Sequence, residues 1–254
     1  MLKIILSGCN GTMGQVIKNF VESDDSVKIV AGFDKFPQKH NNNFPVYENP
    51  RQCEEEADVI IDFSHYSAFR DVVTFARQRK LPLVMATTGL TEKNEEQLEE
   101  LSKEIPVFRS ANMSLGVNVL MDLIRRTTKV LGDSFDIEII EVHHNKKVDA
   151  PSGTALMLAQ EINDAKKEQS NFVYGRHGKE EKREKKDVGI HAIRGGTIVG
   201  EHTVMYAGID EIIEIKHTAL SKSIFASGAI KAAKYIAYKE NGFYDMKKLL
   251  RDHQ

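Results

Sequence analysis

The sequence predicts an α/β protein in which a parallel sheet is covered by helices on both faces and is followed by a smaller α+β unit. Short apolar runs rich in β-branched residues alternate with segments of helical periodicity in the first half. A glycine turn at residues 8–14 joins the first such run to the first helix. Three strand-like runs stand close together in the second half and favour a separate α+β unit, and the alternation in EIIEIKH, residues 211–217, favours a sheet with one wetter face.

The elements of the first half follow one another in a regular order. Predicted strands are residues 3–8, 27–34, 58–64, 81–89 and 106–112, and predicted helices are residues 16–21, 68–80 and 91–104. Thr91 is a good N-cap for the last helix, because its hydroxyl can accept a hydrogen bond from the first turn. Strands that alternate with helices at this spacing favour a parallel sheet.

The pattern changes after about residue 113. The predicted elements are then a helix at 114–132, a strand at 135–144, a helix from 152, strands at 189–195, 198–208 and 210–219, and a helical segment at 222–250. Gly242 is predicted to stop the last helix. The charged stretch 166–187 predicts a solvated loop.

Charge and cysteine content indicate which partners, cellular compartment and metal sites to expect. The chain has 35 lysine and arginine residues against 37 aspartate and glutamate residues, which gives no reason to expect nucleic acid or an acidic membrane as partner. The two cysteines, Cys9 and Cys53, lack a CxxC spacing, which predicts a reduced cytoplasmic protein without a thiolate metal site. The apolar start of the chain is too short for a signal peptide or a membrane span.

The glycine turn reads GCNGTMG, with glycines at positions 8, 11 and 14. Glycines between a strand and a helix let the backbone approach a pyrophosphate, which then rests on the helix N-terminus. Asp34 ends the second predicted strand, where a carboxylate can accept hydrogen bonds from the ribose hydroxyls of NAD. Lys35 follows and can meet the 2′-phosphate of NADP, so the pair leaves NADH or NADPH open. A βα turn without a ligand is the alternative interpretation.

Two later strands end in small polar residues, ATTG at 86–89 and SANMS at 110–114. Ligands of an open α/β sheet bind outside the carboxyl ends of its strands. Small residues at these ends would therefore leave room for the ribose and nicotinamide of a dinucleotide. Ordinary turn residues are the alternative interpretation.

The segment EVHHNKKVDAPSGTA, residues 141–155, concentrates proton-carrying groups before a helix. His143 and His144 project to opposite faces if the strand continues through them, and Lys147 follows in a loop. Ser152 is a good N-cap, and a helix N-terminus with serine and threonine hydroxyls suits a carboxylate. A polar loop with a capping serine is the alternative, and the spacing gives no support to a zinc site.

The stretch EIIEVHHNKKVDAPSGTA closely resembles the central motif of the 4-hydroxy-tetrahydrodipicolinate reductase family, also called dihydrodipicolinate reductases, of lysine and diaminopimelate biosynthesis. The motifs GCNGTMG, ATTG, SANMSLGVN, YGRHG, GIHAIRGG, VGEHTVMYAG and EIIEIKHTALSKSIFASGAIKAA follow the order of the family. The resemblance implies a Rossmann-type domain plus a smaller α+β domain, with the C-terminal helix returning to the first domain. The implied boundaries are 1–112 with 220–254 for dinucleotide binding, and 113–219 for substrate binding and tetramerisation.

The resemblance also implies roles residue by residue. His143 is expected to be the catalytic proton donor or acceptor, and Lys147 to supply a proton to the ring nitrogen. The expected substrate-binding residues are His144, Gly153 and Thr154, joined by Ser152 from the residue pattern. The expected cofactor-binding residues are Gly8, Cys9, Asn10, Gly11, Thr12, Met13, Asp34, Ala86, Thr87, Thr88, Ser110, Ala111, Asn112 and Met113, joined by Lys35 from the residue pattern. No metal ligand is expected.

The implied reaction fits the chemistry of these residues. The expected substrate is a cyclic imine with two carboxylates, and NADH or NADPH is the expected hydride donor to ring C4, with loss of the 4-hydroxyl as water. Electron density then flows to the ring nitrogen, where a lysine ammonium lowers the cost of that charge and can supply a proton. The resemblance further implies a homotetramer that assembles through the second domain's sheet.

Two other functions are alternatives. A semialdehyde dehydrogenase on the same architecture needs a nucleophilic cysteine in the second domain, whereas both cysteines lie within the first 53 residues. A nucleotide-sensing binding protein without turnover would keep the glycine turn and Asp34. It would not need His143 and Lys147 together beside a carboxylate site.

Overall fold

The computed structural model describes residues 1–132, 134–179 and 182–252, and it contains two compact units. The first unit comprises Met1–Leu115 with Lys222–Gln254, and the second comprises Gly116–Ser221. Each unit has its own sheet and its own buried core. Among the described residues, no helix is both long enough and apolar enough to cross a lipid bilayer.

Strands and helices alternate through most of the chain. The strands are β1 (Leu2–Ser7), β2 (Val27–Phe33), β3 (Val46–Tyr47), β4 (Val59–Asp62), β5 (Leu83–Met85), β6 (Pro106–Arg109), β7 (Asp136–His143), β8 (Asn171–Tyr174), β9 (Asp187–Arg194), β10 (Gly200–Ala207), β11 (Ile212–Ala219) and β12 (Gly242–Tyr244). The helices are α1 (Thr12–Val21), α2 (Phe69–Arg79), α3 (Glu92–Leu101), α4 (Leu115–Leu131), α5 (Gly153–Ala165), α6 (Ser223–Ile236) and α7 (Met246–Arg251).

The first unit is built on a parallel sheet with the strand order β12-β6-β5-β4-β1-β2-β3. The central strands β4 and β5 are buried throughout, as expected for a sheet covered on both faces. Apolar side chains of α1 and α6 pack into one core cluster, and those of α2 and α3 into another. The predicted α/β sheet is therefore confirmed. Its strands point the same way, so their carboxyl ends share one edge, where ligands bind in this architecture.

The C-terminal segment returns to the first unit, but the prediction that Gly242 stops its helix is wrong. Helix α6 ends at Ile236, and Gly242 begins β12, which pairs in parallel with β6. Asp245 then caps α7, because its carboxylate accepts a hydrogen bond from the N–H of Lys248 at 2.7 Å. A three-residue strand is too short to show a period in the sequence, and it forms only because the edge of β6 offers hydrogen-bonding partners.

The second unit contains a mixed sheet with the strand order β11-β10-β7-β9-β8. Strand β10 runs antiparallel to β7 and β11, whereas β9 runs parallel to β7 and β8. Helices α4 and α5 cover one face with apolar side chains, and the core lies between them and the sheet. Residues on the other face of β10 are only half-buried, as the predicted wetter face requires.

The charged stretch 166–187 is only partly the solvated loop that the sequence predicts. Strand β8 lies within it and pairs with β9. Arg176 and Arg183 donate hydrogen bonds to the Glu138 carboxylate on β7, at 3.0 and 3.3 Å. The loop prediction is therefore wrong at β8. Arg176 and Arg183 do lie in loop segments, but they are paired rather than only solvated, and their acidic partner lies 38 and 45 residues earlier in the chain, which local sequence does not reveal.

Candidate active site

The glycine turn between β1 and α1 needs two of its glycines for close backbone packing. Gly8 has a φ of 78°, and a Cβ there would lie 2.6 Å from the carbonyl oxygen of Phe63. A Cβ on Gly14 would lie 2.2 Å from the carbonyl oxygen of Gly8. Gly11 is the N-cap of α1 and, within the described turn, provides no side-chain cap. The first N–H groups of α1 are thus available to an anion.

The Asp34 carboxylate connects this turn to the end of β2 through hydrogen bonds. Its Oδ2 atom accepts a hydrogen bond from the N–H of Asn10, and its Oδ1 atom accepts one from the N–H of Phe36, both at 2.9 Å. The Asn10 amide in turn donates to the carbonyl oxygens of Phe36 and Pro37. The side chains of Asp34 and Asn10 therefore shape the turn, in addition to any role toward a ligand.

Cys9 does not direct its side chain toward the open side of the turn. The thiol is fully buried, and a Cβ on Gly32 of β2 would lie only 2.6 Å from the Cys9 Sγ atom. Burial raises the pKa of Cys9 to about 12, with a further contribution from the charge of Asp34. Only the backbone of Cys9 can face a ligand, whereas Thr12 is exposed and Met13 is half-buried.

A cleft of about 890 Å³ lies against the glycine turn, within the size range of ligand sites. Gly8, Asn10 and Gly11 line it, together with Asp34 and Lys35. Three further charged residues also line the cleft, the cation Lys39 and the anions Glu48 and Asp71. The structure thus brings the glycine turn and the Asp34-Lys35 pair to one cavity.

The residues after β5 and β6 are at the same edge of the sheet but do not line this cleft. Thr87 is buried, and its hydroxyl donates to the Asp62 carboxylate at 2.6 Å, while Ala86 is also buried and Thr88 is exposed. Asp62 ends β4. Burial raises the pKa of Asp62, although hydrogen bonds from Thr87, Ser64 and Ser7 oppose that rise.

The segment after β6 forms a hydrogen bond within itself and packs closely against α6. The Ser110 hydroxyl donates to the carbonyl oxygen of Asn112 at 2.7 Å, and Ala111 is exposed. Met113 is 2 % exposed, and a Cβ on Gly228 of α6 would lie 1.7 Å from its carbonyl oxygen. The Met113 side chain therefore belongs to the core of the first unit, and only neighbouring atoms can face a ligand.

In the second unit, a buried carboxylate organises the predicted catalytic segment. Glu141 and His143 are two residues apart on β7 and so share its buried face. The Glu141 Oε2 atom accepts a hydrogen bond from His143 Nδ1 at 2.6 Å. Its Oε1 atom accepts one from the N–H of Ser152 at 2.9 Å. Arg194 of β9 donates to both oxygens, at 2.8 and 2.7 Å.

Ser152 caps α5 and also contacts a second histidine. Its Oγ atom accepts a hydrogen bond from the N–H of Ala155 at 3.2 Å and lies 2.9 Å from His202 Nε2 of β10. The rings of His202 and His143 pack edge to face, with centroids 5.2 Å apart. Ser152 is buried, so its hydroxyl builds the site rather than facing solvent.

The loop between β7 and α5 carries the remaining predicted residues. His144 follows the last residue of β7 and is half-buried. The Lys147 ammonium lies 2.8 Å from Asp149 Oδ1, and this hydrogen bond lowers the pKa of Asp149. Gly153 and Thr154 open α5. Gly153 is exposed, and open space surrounds the position its Cβ would occupy.

Comparison with known proteins places the whole chain in one family. Sequence profiles described as the N-terminus and the C-terminus of dihydrodipicolinate reductase match residues 2–113 and 116–250. The chain belongs to the dihydrodipicolinate reductase family. It is 51% identical over 253 residues to the 4-hydroxy-tetrahydrodipicolinate reductase of Caldanaerobacter subterraneus subsp. tengcongensis, with 99% of each chain covered. It is 48% identical over 251 residues to that of Clostridium novyi, again with 99% of each chain covered.

A solved structure shares the fold of this family member. The dipicolinate-bound dihydrodipicolinate reductase from Paenisporosarcina sp. TG-14 superimposes with a TM-score of 0.81 at 21% identity, covering 96% of this chain and 97% of that one. This confirms the fold class, a Rossmann-type sheet with a second mixed-sheet unit. Among the described residues, no three histidine, cysteine, aspartate or glutamate side chains are grouped to hold a metal ion.

Sequence reasoning missed several polar residues of the second unit's candidate site. Glu141 could have been found, because two residues' spacing along a strand puts its side chain on the face of His143. Arg194 and His202 could not, because they reach the site from β9 and β10 through strand pairing. In the first unit, sequence reasoning also missed Asp62, which stands in the sequence as a single acidic residue at the end of a buried strand.

Acid should destabilise the protein through His202. Burial, aided by the nearby charge of His143, lowers the pKa of His202 to about 4, from a usual value of 6.5. Between these values the unfolded state binds the additional proton. The free energy of unfolding therefore falls as the pH falls through this window, by up to roughly 3 kcal/mol. Urea unfolding at fixed protein concentration, followed by circular dichroism at several pH values, measures this slope.

The matched control for this prediction uses two histidine substitutions. His202→Gln removes the titrating group and should flatten the slope between about pH 6.5 and 4. His40→Gln, in an exposed loop, should leave it as in the wild type. A slope that is the same in all three proteins would contradict the prediction.

Proposed function

We propose that this protein reduces 4-hydroxy-tetrahydrodipicolinate to tetrahydrodipicolinate, with loss of water, in lysine and diaminopimelate biosynthesis. Relatives that are 51% and 48% identical carry the name of that reductase. The observation that carries the proposal is the Glu141 carboxylate, which joins His143 to the start of α5 through two hydrogen bonds. A proton-carrying histidine and an anion-binding helix terminus thereby become parts of one site.

The substrate is a dianion, and the start of α5 suits one of its carboxylates. The first turn of a helix presents N–H groups and the positive end of the helix dipole. Gly153 is exposed and has no side chain over this turn, and Thr154 adds a hydroxyl beside it. The solved relative is described as dipicolinate-bound, which supports a planar ring with two carboxylates as the ligand class. We propose that Gly153 and Thr154 bind a carboxylate and that His144 contacts the ring.

Two residues are proposed to carry out proton transfer. The reduced nicotinamide, when bound, supplies hydride to ring C4. Lys147 first leaves its ion pair with Asp149 and contacts the substrate. Its ammonium then stabilises the electron density that reaches the ring nitrogen and donates a proton there. His143 donates or accepts a proton through Nε2, because its Nδ1 is hydrogen-bonded to Glu141. A Cβ on Gly200 would lie 3.0 Å from Nε2, so a glycine there keeps this atom uncrowded.

Removal of either proton-carrying side chain should lower turnover by about 100-fold to 10,000-fold, the usual range for general acid–base groups. Substrate is generated from pyruvate and aspartate semialdehyde by a synthase, and NADH or NADPH oxidation is followed by absorbance. His143→Ala and Lys147→Ala should retain nucleotide affinity, measured by fluorescence titration, because both residues lie in the second unit.

Lys146→Ala is the control, since this neighbouring lysine is exposed, and it should keep wild-type turnover. Synthase-dependent oxidation by the wild type would establish the reductase. Absence of oxidation from folded protein that still binds NADH would support the nucleotide-sensing alternative. Full turnover by Lys147→Ala would contradict the role given to that lysine.

We further propose that the cleft in the first unit binds NADH and NADPH. The uncapped start of α1 fits a pyrophosphate, and Asp34 retains lone pairs for ribose hydroxyls beyond the two backbone N–H groups it accepts. Those two N–H groups also offset part of its charge. Lys35 and Lys39 line the same cleft and can pair with the 2′-phosphate of NADPH. The lysines are therefore expected to admit NADPH despite the neighbouring carboxylate.

The double variant Lys35→Ala/Lys39→Ala should weaken NADPH binding by roughly 5-fold to 30-fold, the effect of losing one or two partly exposed ion pairs. NADH affinity should stay within about twofold, because NADH lacks the 2′-phosphate. Fluorescence titration with each nucleotide measures both constants. Lys28→Ala, an exposed lysine of β2 outside the cleft, is the control. Equal losses for the two nucleotides would show that the lysines do not read the 2′-phosphate.

A homotetramer assembled through the second unit's sheet is also proposed. The face opposite α4 and α5 carries Val142 and Ile193 at paired positions of β7 and β9, and Ile140 two residues before Val142 on β7. Ile193 is 50% exposed, and Ile212 on the edge strand β11 is 63% exposed. Exposed apolar residues grouped on one face mark an interaction surface.

Sedimentation should give a mass of about four times 28.6 kDa for the wild type. Ile193→Glu should lower that mass, because a charge would be buried in the contact without a partner. Val130→Glu, at an exposed apolar position of α4, should leave it unchanged. A monomeric wild type would contradict the proposal.

A further inference from the structure

We infer that Glu141, held by Arg194, is a positioning residue that keeps the proton of neutral His143 on Nδ1 and stabilises His143 when it is charged. This inference rests on the proposed role of His143 in proton transfer. Glu141 does not act on the substrate in this account. Glu141 determines which nitrogen of His143 can exchange a proton with the substrate.

The geometry around Glu141 gives each carboxylate oxygen two donors. Oε2 accepts from His143 Nδ1 and Arg194 Nη1, and Oε1 accepts from Arg194 Nη2 and the N–H of Ser152. The longest of these four bonds is 2.9 Å. Glu141 is fully buried, and a buried carboxylate is stable only with such a complete set of donors.

The carboxylate remains ionised in this setting. Burial would raise the pKa of Glu141, but the hydrogen bonds from Arg194, His143 and the Ser152 N–H together lower it. An ionised carboxylate can only accept hydrogen bonds. Neutral His143 must therefore carry its proton on Nδ1, which leaves the lone pair on Nε2, the atom that faces Gly200.

A second consequence concerns the loop that carries Lys147. Glu141 binds the residue at the start of this loop, His143, and the residue at its end, Ser152. Arg194 also donates to the carbonyl oxygen of Asp149 at 2.7 Å, and Asp149 pairs with Lys147. One carboxylate–guanidinium pair thus fixes both ends and the middle of the segment.

The charges that face His143 come from several elements. Glu141 lies on its own strand, Arg194 on β9 and His202 on β10. Lys147 and Asp149 lie on the loop. Among the residues that the structure describes around His143, Glu141 alone combines a negative charge with a direct hydrogen bond to the ring. Removal of the Glu141 charge should therefore affect His143 most.

Glu141→Gln tests whether His143 depends on the charge of residue 141, because glutamine keeps the shape of the side chain and removes its charge. The amide oxygen can still accept hydrogen bonds, but the amide NH₂ would donate to Nδ1 and favour the other tautomer. We expect kcat to fall by about 100-fold or more, while KM and the affinity for dipicolinate stay within about threefold. In this variant, the ¹⁵N signals of neutral His143 should report the proton on Nε2 instead of Nδ1.

Glu138→Gln is the matched control on the same strand. Glu138 also pairs with two arginines and a histidine, but it lies on the opposite face of β7. The kcat and the His143 tautomer of Glu138→Gln should match those of the wild type once the oligomeric state of the variant is checked. Equal kcat losses in both variants, or an unchanged His143 tautomer in Glu141→Gln, would show that Glu141 has only a structural role and would overturn the inference.

The wild-type protein provides a test that does not depend on a variant folding. Histidine labelled with ¹⁵N reports the tautomer of each ring, and His143→Gln identifies the resonances of His143. Neutral His143 should be protonated on Nδ1, and protonation on Nε2 would overturn the inference. Failure of the proposed function gives a different result, because the wild type would then oxidise neither NADH nor NADPH with the synthase-generated substrate, whatever the tautomer. Failure of the role proposed for His143 is distinguishable too, because His143→Ala would then retain full turnover.

Discussion

The Glu141 carboxylate is the interaction on which the second unit's site depends. A buried carboxylate is costly unless its oxygens are saturated with donors, and here the donors come from β7, from β9 and from the start of α5. Satisfying one charge therefore brings a histidine, an arginine and a helix terminus together. The arrangement that supplies the buried carboxylate with hydrogen-bond donors is also the arrangement that the proposed chemistry needs.

The first unit meets a different constraint, which is backbone proximity. Gly8 and Gly14 allow the turn, β4 and α1 to approach within distances that a Cβ would forbid. Asp34 and Asn10 then use hydrogen bonds to hold the turn against the segment after β2. The result is an uncapped helix start beside a cleft that also carries Lys35. Residues that look like ligand contacts in the sequence thus also build the surface that would receive the ligand.

The sequence and the structure differ most where partners are distant in the chain. Strand β12 forms on the edge of β6, more than a hundred residues away, and Arg176 and Arg183 find Glu138 across the sheet. Cys9, Thr87 and Met113 stand in motifs that suggest a cofactor, yet their side chains are buried in structural contacts. A motif identifies a segment near a site, whereas the backbone path decides which atoms of that segment face outward.

Local sequence was enough to predict the alternating α/β order, the glycine turn, the caps at Thr91 and Ser152, and the segment that concentrates histidine, lysine and a helix start. These features are local, because periodicity, capping and turn chemistry act over a few residues. The family motifs are local in the same sense. The contacts of Glu141 with His143, Ser152 and Arg194, and the packing of His202 beside them, could be found only from the folded chain. Those contacts depend on the pairing of β7 with β9 and β10, and strand pairing is set by the packing of the whole unit.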